Sequence, residues 1–143
     1  MISQRLKQFL EDERISYEVI EGSQKNYAKI VMVRAGANNV MVVMPRSCEI
    51  DLEKLRILLD ATEISVSSDT ECASLFPDCE AGAMPAIGRL YGLACFVDET
   101  LLDGPNVCFK GGNHRDGVQI SSDEYWRLAQ AEVGDFRLRK VAA

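Results

Sequence analysis

Two runs of β-forming residues, separated by a short turn, constrain the fold of this chain more than any other feature. The runs span residues 28–33 and 40–44, and Gly36 and Asn38 lie between them. Glycine and asparagine accept the backbone conformations of a tight turn, so the arrangement predicts a β-hairpin. Neither run alternates between apolar and polar residues, which predicts a sheet that is covered on both faces.

Apolar residues at helical spacing predict helices that would supply this cover. Four helices are expected, beginning near Ser3, Asp51, Asp69 and Ser121. Ser3, Asp51 and the segment at residues 121–124 offer side chains that can cap the first turn. The third helix is expected to continue through Phe76. Shorter apolar runs predict further strands at residues 17–20, 63–67, 93–97, 107–110 and 117–120. We therefore predict a single α+β domain over residues 1–143 with a mostly antiparallel or mixed sheet.

Composition and charge exclude several classes of protein. The chain has 143 residues, of which 47% are hydrophobic and 27% charged, as in ordinary globular proteins. Its net charge of −6 disfavours a broad nucleic-acid surface, so DNA is not an expected partner. No apolar run approaches the length of a membrane span, and the N-terminus has no signal-peptide core. We expect a cytoplasmic protein that does not associate with membranes.

The cysteines and the single histidine argue against metal or disulfide chemistry. The five cysteines are scattered without a CxxC pair, which disfavours a disulfide framework or a structural zinc site. Cys79 could be exposed, but no histidine pairs with it in a pattern typical of a nucleophile. His114 is the only histidine, so no second imidazole is present to build a metal site. The chain also lacks GxGxxG, P-loop and GxSxG motifs, which disfavours dinucleotide enzymes, nucleotide hydrolases and α/β serine hydrolases.

A glycine- and proline-rich stretch at residues 76–88 is the strongest candidate for a functional loop. Gly82, Pro85 and Gly88 fall within seven residues, between a helical pattern and a strand pattern. Such a loop can present backbone N–H groups in a fixed shape, as an oxyanion site requires. An ordinary rigid turn explains the same residues equally well, so both interpretations stay open at this point.

Two side chains are further candidates on chemical grounds. Lys29 begins a strand that otherwise contains Ile, Val and Met, so its ammonium could orient a carboxylate, phosphate or carbonyl beside a cleft. The alternative is a lysine that extends to water. His114 follows two glycines, in a turn from which its side chain could face a pocket or the solvent.

These segments, taken in order, resemble the YbaK/prolyl-tRNA-synthetase-associated domain family, the trans-editing aminoacyl-tRNA deacylases. The resemblance covers nearly the whole chain. It rests on the starting helix and on residues 17–19, 28–33, 43–45, 51–55, 76–88, 97–101 and 109–115.

The resemblance implies an α+β fold with a mixed, barrel-like β-sheet and surrounding helices. It implies a hydrolase of translation fidelity that cleaves the ester joining a wrong amino acid to the 3′ end of tRNA, without a metal or other cofactor. In this family a lysine holds the substrate end, and a Gly-x-x-x-Pro loop shapes the amino-acid pocket and supplies backbone donors. The catalytic roles would fall on Lys29 and Gly82. The substrate-binding roles would fall on Ala83, Met84, Pro85, Gly88, Gly111, Gly112 and His114.

Departures from the family pattern keep other functions open. The loop has Ala86 where the family has proline, and Ile87 where it usually has phenylalanine before Gly88. The segment at residues 21–27 is also shorter than in the family. These differences motivate a second hypothesis, a tRNA- or amino-acid-binding module that has lost catalysis. A third is a structural or regulatory partner of an aminoacyl-tRNA synthetase.

Overall fold

The computed structural model describes residues 1–21 and 27–138, and the predicted elements occur there in the predicted order. The helices are α1 (Gln4–Asp12), α2 (Leu52–Leu58), α3 (Asp69–Ala73) and α4 (Ser122–Ala129). The strands are β1 (Glu18–Glu21), β2 (Lys29–Ala35), β3 (Asn38–Met44), β4 (Ile64–Val66), β5 (Ala94–Asp98), β6 (Asn106–Lys110), β7 (Asp116–Ser121) and β8 (Glu132–Gly134). Sequence patterns did not predict β8 or the two 3₁₀ turns at Gly88–Tyr91 and Glu99–Leu102.

The described strands form two sheets. One is antiparallel with the order β1–β7–β6, and the other has five strands in the order β4–β2–β3–β5–β8. In the larger sheet β4, β2 and β3 are antiparallel, whereas β5 and β8 are parallel to their neighbours, so the sheet is mixed. A bridge between Tyr27 and Cys108 joins the two sheets just before β2 begins.

The α+β class and the mixed sheet are therefore confirmed, with one correction. The expected sheet was barrel-like, but the sheets of the described residues are not closed into a barrel. The single bridge at Tyr27 is the described backbone pairing between the two sheets, and it is too short to close a barrel.

Both faces of the larger sheet are covered, as its sequence predicts. Met41 and Val43 of β3 point into the larger core, which also contains residues of α1, α4 and the smaller sheet. The intervening residues Val40 and Val42 point into a second core, which Leu55 of α2 helps to form. This alternation follows from the two-residue period of a strand.

The helix starts agree with the capping side chains. Ser3, Asp51 and Ser121 each accept a hydrogen bond from a backbone N–H in the first turn of the helix that follows. The prediction that the third helix extends through Phe76 is wrong, because α3 ends at Ala73. Pro77 disfavours the helical conformation at Phe76, whose side chain is buried in the larger core instead.

No helix in residues 1–21 and 27–138 is both long enough and apolar enough to span a bilayer. Cys95 and Cys108 are buried, as their strand positions predict, whereas Cys48, Cys72 and Cys79 are partly exposed. Residues 22–26, most of the segment that is short relative to the family pattern, lie outside the described residues, as do residues 139–143.

Candidate functional site

A cavity of about 560 Å³ lies along one edge of β2. Strand β4 pairs with only the last three residues of β2, Val33–Ala35. The bridge to β6 is formed by Tyr27, before the first residue of β2. Between these two points the edge of β2 has no partner strand among the described residues. Side chains from both faces of β2 therefore reach the cavity, together with residues from α3, the glycine–proline loop and the end of β6.

Positive charge predominates in this cavity, although the whole chain is acidic. Its charged lining residues are Lys29, Arg46, Lys110 and Asp69, three cations and one carboxylate. The remaining lining residues are Tyr27, Ala28, Ile30, Val31, Met32, Val66, Ser67, Cys72, Gly82 and Met84. An excess of cations in a concave site attracts anionic groups such as phosphates.

The Lys29 ammonium is held by the turn that follows β3. Lys29 pairs with Met44 in the β2–β3 register, which places it beside the start of that turn. Its Nζ donates to the Cys48 carbonyl oxygen at 3.1 Å and lies 3.6 Å from Glu49 Oε2. Lys29 thus lines the cavity with its charge already directed toward residues 48–49.

Gly82 occupies the third position of a tight turn at residues 80–83. The Ala83 N–H donates to the Glu80 carbonyl at 3.0 Å, and Gly82 has φ +77°. These features match a type II β-turn, which requires a positive φ at this position and therefore favours glycine. Gly82 and Met84 line the cavity, and within the described part of the chain their N–H groups donate no hydrogen bond. The Ala83 N–H, by contrast, is already used inside the turn.

His114 lies next to this turn but not among the lining residues of the cavity. Its Nε2 is 2.7 Å from the Ala81 carbonyl oxygen, and its Nδ1 is 3.0 Å from Lys110 Nζ. A Cβ atom placed on Gly82 would lie 3.7 Å from His114 Cε1. The histidine therefore contacts the turn directly. It does not line the cavity, but it contacts Lys110, which does.

Five other predicted site residues contribute to the packing of the loop. Ala83 and Pro85 are buried. A Cβ on Gly88 would lie 2.8 Å from Cys95 Cβ, and a Cβ on Gly111 would lie 2.6 Å from Ile2 Cγ2. Gly112 donates from its N–H to the Ala83 carbonyl and accepts from the Glu80 N–H, at 2.9 and 2.8 Å. None of these five residues lines the described cavity.

The residues that depart from the family pattern also face the interior. Ala86 and Ile87 are fully buried, and the Ala86 carbonyl accepts a hydrogen bond of 2.6 Å from the Tyr125 hydroxyl. Because this side of the loop packs against α4, the residue at position 86 affects the support of the loop. It does not line the described cavity.

The thiol of Cys79 is poorly suited to act as a nucleophile. Burial raises its pKa, although a hydrogen bond with Tyr91 opposes this. Its Sγ lies 3.2 Å from the Tyr91 hydroxyl, which in turn donates to Asp78 at 3.1 Å. This agrees with the absence of a paired histidine in the sequence.

Two cavity residues, Arg46 and Lys110, were missing from the predicted site. Both lie at or near the end of a strand pattern: Arg46 comes two residues after the run 40–44, and Lys110 is the last residue of the run 107–110. The sequence signal that could have identified them was a basic residue near the end of a strand in an acidic chain. The described residues contain no group of three or more His, Cys, Asp or Glu side chains placed to hold a metal ion.

Comparisons with known proteins identify a matching family and a shared fold. The sequence model of the aminoacyl-tRNA editing domain matches residues 16–128. No curated protein matches the chain in sequence.

Solved structures show the same fold at low sequence identity. A candidate trans-editing enzyme for prolyl-tRNA synthetase has a TM-score of 0.81 at 20% identity, with 96% of this chain and 97% of that chain covered. A hypothetical protein has a TM-score of 0.82 at 15% identity, with coverages of 94% and 100%. A candidate signal transduction protein from Marinobacter aquaeolei has a TM-score of 0.78 at 20% identity, and this chain covers 30% of its length.

Proposed function

Because this chain belongs to the aminoacyl-tRNA editing domain family, we propose that it is a deacylase that hydrolyses mischarged aminoacyl-tRNA in trans. The observation that carries the proposal is the shared cavity. Lys29 on β2 and the turn residues Gly82 and Met84 line the same space, and this space carries an excess of positive charge. Such a cavity suits the 3′ end of tRNA, which combines phosphates with an esterified amino acid.

The reaction requires alignment of a water molecule more than a strong nucleophile. Water attacks the carbonyl carbon of the aminoacyl ester and forms a tetrahedral oxyanion. The bond between the acyl carbon and the ribose oxygen then breaks, and the proton lost by the water passes to that oxygen, so that the free amino acid and tRNA with a free terminal hydroxyl separate. The ester is already activated, so positioning and oxyanion donors provide most of the rate acceleration. We assign the donor role to the N–H groups of Gly82 and Met84, which have no other described partner.

We assign to Lys29 the role of holding the substrate end. Its ammonium contacts the Cys48 carbonyl and Glu49, in the turn that follows β3. A lysine ammonium in the cavity suits a phosphate or ribose of the terminal nucleotide, and the backbone N–H groups of the turn at residues 80–83 are left for the oxyanion. Arg46 and Lys110 extend this basic surface and would contact neighbouring phosphates.

The test is a deacylation assay over several mischarged tRNAs with matched lysine variants. We expect turnover by the wild type and a fall of about tenfold or more in kcat/KM for Lys29→Ala, the usual size for loss of a hydrogen bond to a charged group. Lys7→Ala is the control, because Lys7 is exposed on α1 and does not line the cavity. If a folded wild type and Lys29→Ala both match the uncatalysed rate, the enzyme hypothesis should be abandoned.

A binding module without turnover is the second candidate. Ala86, where the family has proline, favours it, since the residue at this position affects the support of the loop that carries the proposed oxyanion donors. Binding of a non-hydrolysable aminoacyl-tRNA analogue without hydrolysis of the corresponding ester would select this alternative. Under either proposal the partner is aminoacyl-tRNA and the expected location is the cytoplasm. A complex with an aminoacyl-tRNA synthetase, the third hypothesis, would appear as stable co-purification.

A further inference from the structure

Lys110 and His114 form a connection between the cavity and the turn that carries Gly82. Lys110 lines the cavity, and its Nζ lies 3.0 Å from His114 Nδ1. The other ring nitrogen, Nε2, lies 2.7 Å from the Ala81 carbonyl oxygen. Each of the two distances is that of a hydrogen bond.

The chemistry of the two partners determines where the imidazole proton lies. A lysine ammonium has three donors and no acceptor, so Nδ1 must accept. A carbonyl oxygen can only accept, so Nε2 must carry the hydrogen. His114 is therefore neutral in this arrangement and in the Nε2–H tautomer. Lys110 and the Ala81 carbonyl together select this tautomer, and Lys110 is the partner that keeps Nδ1 unprotonated.

The hydrogen bond from His114 acts on the central peptide of the turn at residues 80–83. That peptide joins the Ala81 carbonyl to the Gly82 N–H, and in a trans peptide these two groups point in opposite directions. Because the Ala81 carbonyl is held toward His114, the Gly82 N–H is fixed on the side of the peptide that faces away from His114. Reversal of this peptide is the difference between type I and type II turns, so the contact stabilises the type II form.

We infer that Lys110 is a positioning residue for deacylation: it fixes the tautomer of His114, which holds the peptide between Ala81 and Gly82 with the Gly82 N–H available as an oxyanion donor. The inference rests on the proposed function for its effect on catalysis. Its structural part, the coupling of Lys110 to the histidine tautomer and to the turn, does not depend on turnover.

The single histidine makes this coupling directly measurable. In ¹⁵N-labelled wild-type protein, the long-range ¹H–¹⁵N spectrum of the imidazole should show the Nε2–H tautomer. Lys110→Met removes the donor and keeps a side chain of similar length, so a mixture of tautomers and a shifted Gly82 amide signal are expected. Lys110→Arg retains a charged donor and should restore both signals.

The kinetic measurement separates positioning from direct contact with the substrate. Lys110→Met should lower kcat by about tenfold with a smaller change in KM, and Lys110→Arg should recover most of it. A lysine that only binds a phosphate would raise KM and leave the imidazole spectrum unchanged.

The inference is overturned if the His114 spectrum is the same in wild type and Lys110→Met, or if the tautomer changes while kcat does not. A wild type without any turnover would end the proposed function and the catalytic part of this inference. The spectra would then still decide whether Lys110 controls the turn.

Discussion

Gly82 matters both for the backbone conformation of the loop and for the proposed chemistry. Its φ of +77° lies in the region where an L-amino acid is strained, whereas a Cβ there would have room, at 3.7 Å from the nearest atom. The free-energy cost of a substitution at this position therefore comes from backbone strain and not from a steric clash of the new Cβ.

This gives a first prediction, for Gly82→Ala. We expect a loss of about 1 kcal/mol in the free energy of unfolding, because alanine disfavours the left-handed region, and a much larger fall in deacylation as the turn changes. Gly92→Ala is the matched control: Gly92 has φ +68° and open space around its Cβ position, but it lies outside the cavity. Urea denaturation and kcat/KM should show similar destabilisation in both variants and lost activity only in Gly82→Ala.

Single residues show which part of the site the sequence could supply. Local patterns made Lys29 and Gly82 candidates, and the family resemblance implied that they act in one cleft; in the structure both line the cavity. Residue type alone could not show that Gly82 lines the cavity whereas Gly88 and Gly111 do not. Close packing against Cys95 or Ile2 and a positive φ both require glycine, and only the tertiary contacts distinguish them.

At the level of elements, local signals predicted most of the fold. Capping residues such as Ser3 and Asp51 interact with their own first turns, and the Gly36 hairpin is also local, so these patterns can be read without knowing the rest of the fold. Strand β8 was missed because its three residues depend on a parallel pairing with β5, which is about 35 positions away in the chain. A short parallel strand has no sequence signature of its own.

The segment after β8 closes the second core, and this gives the second prediction. Phe136 is fully buried there beside Leu55 and Val42, and its backbone N–H donates to the buried carboxylate of Asp98 at 3.3 Å. Phe136→Ala should lower the free energy of unfolding by about 3–5 kcal/mol, the usual cost of deleting a buried aromatic side chain. Leu138→Ala, at a side chain that is 56% exposed, is the control and should change it by less than about 0.5 kcal/mol. Equal effects of the two substitutions in urea denaturation would mean that this segment does not close the core.

At the scale of the whole molecule, Asp78 joins three separate parts of the chain. Its carboxylate accepts hydrogen bonds from Ser3 at the start of α1 and from Tyr91 in the first 3₁₀ turn. Burial acts to raise the pKa of Asp78, but these hydrogen bonds and the charge of Arg5 outweigh it and bring the pKa below the ordinary value of 3.8. The glycine–proline loop is thus tied to the N-terminal helix by an ionised group.

The third prediction concerns the pH dependence of stability. Since the pKa is lower in the folded state, the unfolded state binds more protons. The contribution of Asp78 is complete above its unfolded pKa and is lost as the pH falls below about 5 and through the folded pKa. Thermal unfolding between pH 7 and pH 3 should therefore show a smaller acid loss for Asp78→Asn than for the wild type. Parallel curves for the two proteins would show that Asp78 does not contribute to the acid sensitivity.

The ion pair at Lys29 has a consequence for which molecules can occupy the cavity. Glu49 is tethered beside the ammonium, so it competes at a fixed local concentration with every anion that arrives. A free amino acid would replace the Glu49 carboxylate with its own and would gain little binding free energy. Under the proposed function, the end of a nucleic acid would also engage Arg46 and Lys110, so it would displace the glutamate more readily than a ligand with a single anionic group.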